Sequence, residues 1–116
     1  MTYDPSCIFC KIIRHEIPAD EVLRDDHVVA FRDLNPVAPS HILIVPTAHV
    51  AHLSDFAKLA NAEASARLLA AAAEVGNRFG ERGYRVVTNE GADAGQEVHH
   101  LHLHVLAGRR FGWPPG

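Results

Sequence analysis

The sequence predicts an α+β domain, an antiparallel sheet with a helix layered on one face. Two observations carry this. One alanine-rich stretch, about Ala62 to Phe79, sets Leu68, Leu69, Ala72, Val75 and Phe79 at helical spacing. Short runs rich in β-branched and aromatic residues flank it, separated by turn residues. Strands around a single long helix pack in this way. At 116 residues the chain forms one domain spanning 1–116, large enough to bury a core without staples.

Residues 1–6 are expected to be a flexible N-terminus. Cys7 to Arg14 reads as a short helix or turn, closed by Ile17-Pro18. Glu21 to Arg24 and Val28 to Arg32 read as strands around an Asp25-Asp26 turn. Two prolines stiffen the loop from Asn35 to Ser40, and the apolar run from His41 to Val45 is a buried strand stopped by Pro46. A short helix starts near Leu53, with Ser54 and Asp55 as candidate caps. The long helix ends at Gly80 and Gly83. Tyr84 to Asn89 is a strand, Gly91 to Gln96 a glycine-bearing loop, and a histidine-rich strand follows. The tail 109–116 holds Trp113-Pro114-Pro115-Gly116, which excludes helix and central strand and leaves an extended arm.

A net charge of −3 gives no general electrostatic case for nucleic acid or a membrane surface. No apolar run approaches the ~20 residues of a membrane span, and no basic-then-apolar leader stands at the start. Cytoplasm is the expected compartment. The two cysteines lie together as Cys7-Ile8-Phe9-Cys10. That spacing suggests metal or redox use rather than a secreted disulfide framework. A Cys₂His₂ zinc site, a reduced structural pair and a redox motif all stay open, and spacing alone names no histidine partners.

Chemistry concentrates in His99-His100-Leu101-His102-Leu103-His104-Val105-Leu106. In a strand, side chains alternate between faces, so His100, His102 and His104 share one face while Leu101, Leu103 and Val105 enter the core. Neighbouring histidines would then sit roughly 7 Å apart, about the span that brackets one phosphate or one metal ion. A solvated face and a pure metal site are the competing readings; an affinity tag is not, since tags are contiguous and terminal. Neutral imidazole is a nucleophile toward phosphorus; protonated, it donates to phosphate oxygens or to a leaving group. Gly95-Gln96 would turn backbone N–H groups toward an anion beside these rings, although a plain turn without a ligand explains the glycines as well. His15, His27 and His52 read as surface residues, and His99 points off the triad face.

From Cys7 to Gly116 the chain resembles the histidine-triad (HIT) nucleotide-binding hydrolases, in particular their Hint branch. The triad motif stands as His100-Leu101-His102-Leu103-His104-Val105-Leu106. Around it lie Lys11-Ile12-Ile13, Glu16-Ile17-Pro18, Ala38-Pro39-Ser40-His41, Asn89-Glu90-Gly91, Gly95-Gln96 and the Trp113 tail. The resemblance implies a HIT-like fold: a five-stranded antiparallel sheet with one long and one short helix, paired as a two-fold homodimer with a continuous sheet. It implies hydrolysis of purine nucleoside 5′-phosphoramidates, such as an AMP amide, through a nucleotidyl-histidine intermediate on His102. His104 would contact the phosphate, and His41 would orient the catalytic imidazole. Asn89, Gly95 and Gln96 would surround the phosphate. Ile17, Phe31, Asp33 and Leu34 would form the purine and ribose pocket, and Trp113 of the arm 109–116 would reach the partner's site at the dimer interface. A structural zinc would be held by Cys7, Cys10, His49 and His100, with no catalytic cofactor required. Many members of the family carry serine where this chain has Glu97. A carboxylate facing the site there would favour cationic amine leaving groups. Alternatives are a dinucleoside-polyphosphate hydrolase or nucleotidyl transferase of the same superfamily, a nucleotide-binding regulatory module with little turnover, and a metal-binding protein that uses the histidine stripe.

Overall fold

A computed structural model describes residues 3–116. Of the expected flexible segment 1–6, residues 1 and 2 lie outside the described residues. The Tyr3 hydroxyl donates to Glu16 (2.7 Å), and the Asp4 N–H points at the Cys10 sulfur (3.5 Å). The elements in order are α1 (Ile8–Ile13), β1 (Glu21–Arg24), β2 (Val28–Arg32), β3 (Ser40–Pro46), α2 (Leu53–Lys58), α3 (Ala62–Phe79), β4 (Tyr84–Val87), a 3₁₀ turn at Ala92–Ala94 and β5 (Leu103–Ala107). The sheet is five-stranded, in the order β1-β2-β3-β5-β4, with every pairing antiparallel.

Alternate residues along the strands feed two cores. Val28, Ala30, Ile42, Ile44, Leu103 and Val105 meet Leu68, Ala71 and Val75 of α3. Val29, Phe31, Leu43 and Val45 on the opposite face meet Phe9, Cys10, Ile12 and Ile13 of α1. The expected layering of a helix on one face is therefore incomplete: α1 covers part of the second face, and there are two short helices rather than one. A six-residue helix is too short to hold itself in water, so α1 depends on this packing and on Cys7, whose sulfur caps it by accepting from the Cys10 N–H.

The histidine segment joins the ladder only from Leu103. Before it, the Leu101 N–H donates to the Val50 carbonyl (2.8 Å), and the Thr88 hydroxyl takes the His102 carbonyl (2.8 Å) where a β4 backbone group would have been. For the same reason β4 stops at Val87 and does not reach Asn89. The caps expected of α2 are also replaced. Its N-cap is His52, with no side-chain cap bond, while Glu90 accepts from both the Ser54 N–H (3.0 Å) and the Ser54 hydroxyl (2.8 Å). Asp55 pairs instead with His52 at 2.8 Å. In the tail, Arg85 donates to the Gly112 carbonyl (2.8 Å), and the Arg85 and Arg109 guanidinium groups lie over the Phe111 ring. Among the described residues no helix is long and apolar enough to cross a membrane.

Candidate active site

A cavity of about 410 Å³ opens on the α1 side of the sheet. Ile8, Phe9 and Ile12 form one wall, Phe31 and Leu43 the floor, and Asp33, Leu34 and Asn35 the mouth. Asn89, Gly95, Glu97, His102 and His104 close the far side. Apolar walls with a few convergent polar groups are what a small-molecule site needs.

Hydrogen bonds fix the histidine tautomers. His102 Nδ1 lies 2.8 Å from the His100 carbonyl oxygen. A carbonyl can only accept, so Nδ1 carries the hydrogen and Nε2 keeps its lone pair. On β3, the Val37 N–H donates to His41 Nδ1 (3.1 Å), which puts the His41 hydrogen on Nε2. That Nε2 lies 2.9 Å from His104 Nδ1 and 3.4 Å from Asp33 Oδ2. His104 Nδ1 is thereby the acceptor, and its own hydrogen sits on Nε2. Burial, followed by the neighbouring His102 and His41, pushes His104 down to about 4, with Asp33 pulling the other way. Burial likewise lowers His41, against the opposing pull of Asp33. Both are neutral near pH 7 and act as hydrogen-bond groups rather than cations.

The His102 and His104 ring centroids are 4.9 Å apart, closer than the roughly 7 Å implied by strand rise, because the rings converge edge to face. The imidazole that His41 orients is that of His104; His102 takes its orientation from the main chain. A phosphoryl group lying against both rings would meet a lone pair on one side and an N–H donor on the other.

Asp33, Phe31, Leu34, Asn89, Gly95 and Glu97 all line this cavity, as the sequence suggested. Ile17 does not; it packs on the second core, and its neighbours Pro18 and Ala19 face the cavity instead. Gln96 does not either. Its side chain is buried, accepting from the Gly91 N–H (3.0 Å) and donating to the Ala51 (2.7 Å) and Val98 (3.2 Å) carbonyls. The expected backbone cradle at Gly95-Gln96 is also spent internally, with Gly95 N–H on Ala92 O and Gln96 N–H on Gly91 O. Trp113 is 84% exposed and lies off the cavity. His15 is on the surface, and His27 reaches Glu63 at 3.3 Å. His99 is exposed and meets the His52 ring edge-on. The α1 wall was missed by sequence reasoning. Its signal was the i, i+4 pair Ile8 and Ile12 interleaved with the cysteines, overshadowed by the thiols themselves.

A second cluster lies behind the first. One donor atom each from Cys7, Cys10, His49 and His100 falls within 4.8 Å of all the others. Cys7 Sγ is 3.4 Å and Cys10 Sγ 3.7 Å from His100 Nδ1. Cys10 Sγ is 3.3 Å from His49 Nδ1, and the two Nδ1 atoms are 3.0 Å apart. Zinc bonds of about 2.3 Å to sulfur and 2.0–2.1 Å to nitrogen imply ligand separations of about 3.3–3.8 Å around a tetrahedron. The donor set fits. His100 Nε2 donates to the Pro46 carbonyl (2.9 Å), leaving Nδ1 free to ligate, and His49 Nε2 lies 3.9 Å from Asp4 Oδ2. Burial pushes the Cys10 thiol up to about 11, so without a cation it stays protonated, the reverse of a redox-active thiolate.

A HIT domain model matches residues 14–111. A protein of Escherichia coli (strain K12) named purine nucleoside phosphoramidase is 45% identical over 107 residues, covering 90% of this chain and 89% of its own length. The crystal structure of a HIT family hydrolase from Legionella pneumophila superposes with a TM-score of 0.89 at 45% identity, covering 96% of this chain and 100% of its own. A Zn-bound histidine triad family protein from Mycobacterium smegmatis superposes at 0.77 with 29% identity, over 96% of this chain and 80% of its own. The chain belongs to the HIT domain family and is similar throughout to its hydrolases.

Proposed function

We propose that this protein hydrolyses purine nucleoside 5′-phosphoramidates to a nucleoside monophosphate and an amine, with His102 as the nucleophile. The observation that carries the reading is that His102, whose Nδ1 is held by the His100 carbonyl so that Nε2 keeps its lone pair, lines the cavity together with His104, whose hydrogen is on Nε2. The His102 nitrogen bonds to phosphorus as the P–N bond breaks, and the departing nitrogen takes up a proton. Water then attacks phosphorus, releases the nucleotide from His102 and gives up a proton, so the cycle is proton-neutral. His104 donates to the phosphate oxygens throughout, held in that tautomer by His41. The apolar walls around Phe31 and Leu43 suit a purine, and Asp33 at the mouth suits ribose hydroxyls. The name of the Escherichia coli relative supports the P–N substrate.

A metal held by Cys7, Cys10, His49 and His100 would have all four positions filled by protein, so its contribution is structural. The Zn-bound relative supports zinc as that metal. Pairing into a two-fold homodimer is part of the same proposal. β4 ends the sheet with Tyr84 and Val86 exposed, whereas the other edge, β1, is blunted by a register shift between Glu21 and Leu23. In such a dimer the arm 109–116 and its exposed Trp113 would lie against the partner's cavity. Two cysteines spent on a metal rather than on a disulfide suit the cytoplasm as the compartment.

The test is a substrate panel with product analysis: AMP amides against a dinucleoside polyphosphate. Release of amine and AMP from the amides, with the polyphosphate at least about tenfold slower in kcat/KM, is the expected result. The reverse order selects the polyphosphate hydrolase, and AMP binding without turnover selects a regulatory module.

A further inference from the structure

We propose that residues 3–6 form a strap over the four-donor cluster, latched at Tyr3 and carrying Asp4 against two of the donors, so that the cluster exchanges its metal only when the strap opens. The proposal rests on the cluster binding a metal and is independent of the nucleotide chemistry.

The segment reads in the sequence as a loose terminus, yet it is pinned along its length. At the outer end the Tyr3 hydroxyl donates to the Glu16 carboxylate (2.7 Å), and the Arg14 guanidinium lies 4.1 Å over the Tyr3 ring. In the middle, Asp4 closes a turn. Its Oδ1 accepts from the Ser6 N–H (2.9 Å) and the Ser6 hydroxyl (2.7 Å), and its carbonyl accepts from the Cys7 N–H (3.0 Å). Asp4 also faces the donors. Its N–H points at Cys10 Sγ (3.5 Å), and its Oδ2 lies 3.9 Å from His49 Nε2.

The strap sits where the cluster is open. Cys7, Cys10 and His100 are buried while His49 is half-buried, so solvent reaches the cluster on the His49 side, where Asp4 stands. A sulfur that ligates a metal is a thiolate, and an N–H aimed at it becomes a charge-assisted bond, stronger than the same N–H gives a thiol. The Asp4 carboxylate is too far from His49 for a direct hydrogen bond. Its charge still favours the imidazole with Nδ1 engaged and the hydrogen on Nε2, the form a ligand takes. Asp4 therefore favours the loaded cluster. The Tyr3 latch supplies no donor atom and resists opening of the strap in the loaded and the empty protein alike.

The experiment uses the whole chain under reducing conditions, with zinc ion as the probe. Zinc affinity is measured by competition with a chromogenic chelator, and uptake and release rates by stopped flow, for the parent, Asp4→Asn and Tyr3→Phe. Asp4→Asn keeps the oxygen that serves Ser6 and is expected to weaken zinc binding about tenfold. Tyr3→Phe is expected to raise both uptake and release about fivefold, through loss of a bond to a charged partner, with little change in affinity. Cobalt(II)-loaded protein is expected to keep the parent's visible bands in both variants, because neither removes a ligand. Zinc affinity of Asp4→Asn within about twofold of the parent would overturn the proposal. So would unchanged rates in Tyr3→Phe, or faster release without faster uptake, since a gate acts on both. Altered cobalt bands would overturn it as well, by showing that the substitutions disturb the donors themselves. A parent that takes up neither ion would overturn the metal reading and the strap with it, whereas failure to cleave AMP amides would leave the strap standing.

Discussion

Two backbone groups set the chemistry at the scale of single residues. A carbonyl fixes His102 and an N–H fixes His41, and through His41 the proton of His104. The alternation of histidine and aliphatic residues made the triad face legible in the sequence. The tautomers were not, because they depend on main-chain atoms that no motif encodes. His41→Ala removes the donor to His104 Nδ1, and kcat for an AMP amide is expected to fall by about 10²-fold with KM little changed. A fall confined to KM would contradict that role. Acid stability reports on His104, whose folded value of about 4 lies below the ordinary 6.5. The neutral form is favoured in the fold, so as pH drops from about 6.5 toward 4 the unfolded chain takes up the proton first and stability declines. His104→Asn is expected to flatten that part of the pH dependence of the thermal midpoint; an unchanged slope would contradict the assignment. Glu97 shares the cavity with both histidines, and Glu97→Gln is expected to erase a preference for cationic over anionic amine leaving groups. Equal preference in parent and variant would remove Glu97 from substrate selection.

Among the elements, α3 was the plainest in the sequence, since its periodicity, its Asn61 cap and Gly80 end are all local. The start of α2 near Leu53 was legible, but its capping was not, because the Ser54 N–H is taken by Glu90, a residue 36 positions away. The histidine strand was overextended because Thr88 and Val50 take the bonds that a ladder would have used. Gly95 and Gln96 were left between a phosphate cradle and a plain turn; their N–H groups close the 3₁₀ turn, a choice invisible in composition. The end of α3 offers a stability test. A Cβ at Gly80 would lie 2.6 Å from the Gly83 carbonyl oxygen and 2.9 Å from that of Gly76, both backbone atoms. Gly80→Ala is therefore expected to cost about 1–3 kcal/mol in urea denaturation. A neutral result would mean that the α3–β4 turn repacks freely.

Considered as a whole, the molecule is a sheet with a core on each face, α3 on one side and α1 with the metal-ligand cluster on part of the other. The sequence announced the larger helix. The short helix or turn at Cys7 to Arg14 was legible too, but not its place on the second face, because six residues give too short a periodic signal and the cysteines invite a separate reading. The proposed homodimer would form on the open β4 edge. Sedimentation should give twice the mass of a 12.7 kDa chain, and Val86→Lys on that edge should shift it toward one. A monomer at micromolar concentration would leave Trp113 without a partner's cavity to reach.

The central claim is that His102 carries the nucleotide. Intact-protein mass spectrometry during turnover of an AMP amide tests it most directly, comparing the parent with His102→Ala. The account expects a transient gain of one AMP on the parent and none on the variant. Product formation by the parent with no adduct at any time, or an adduct that survives on the variant, would contradict it.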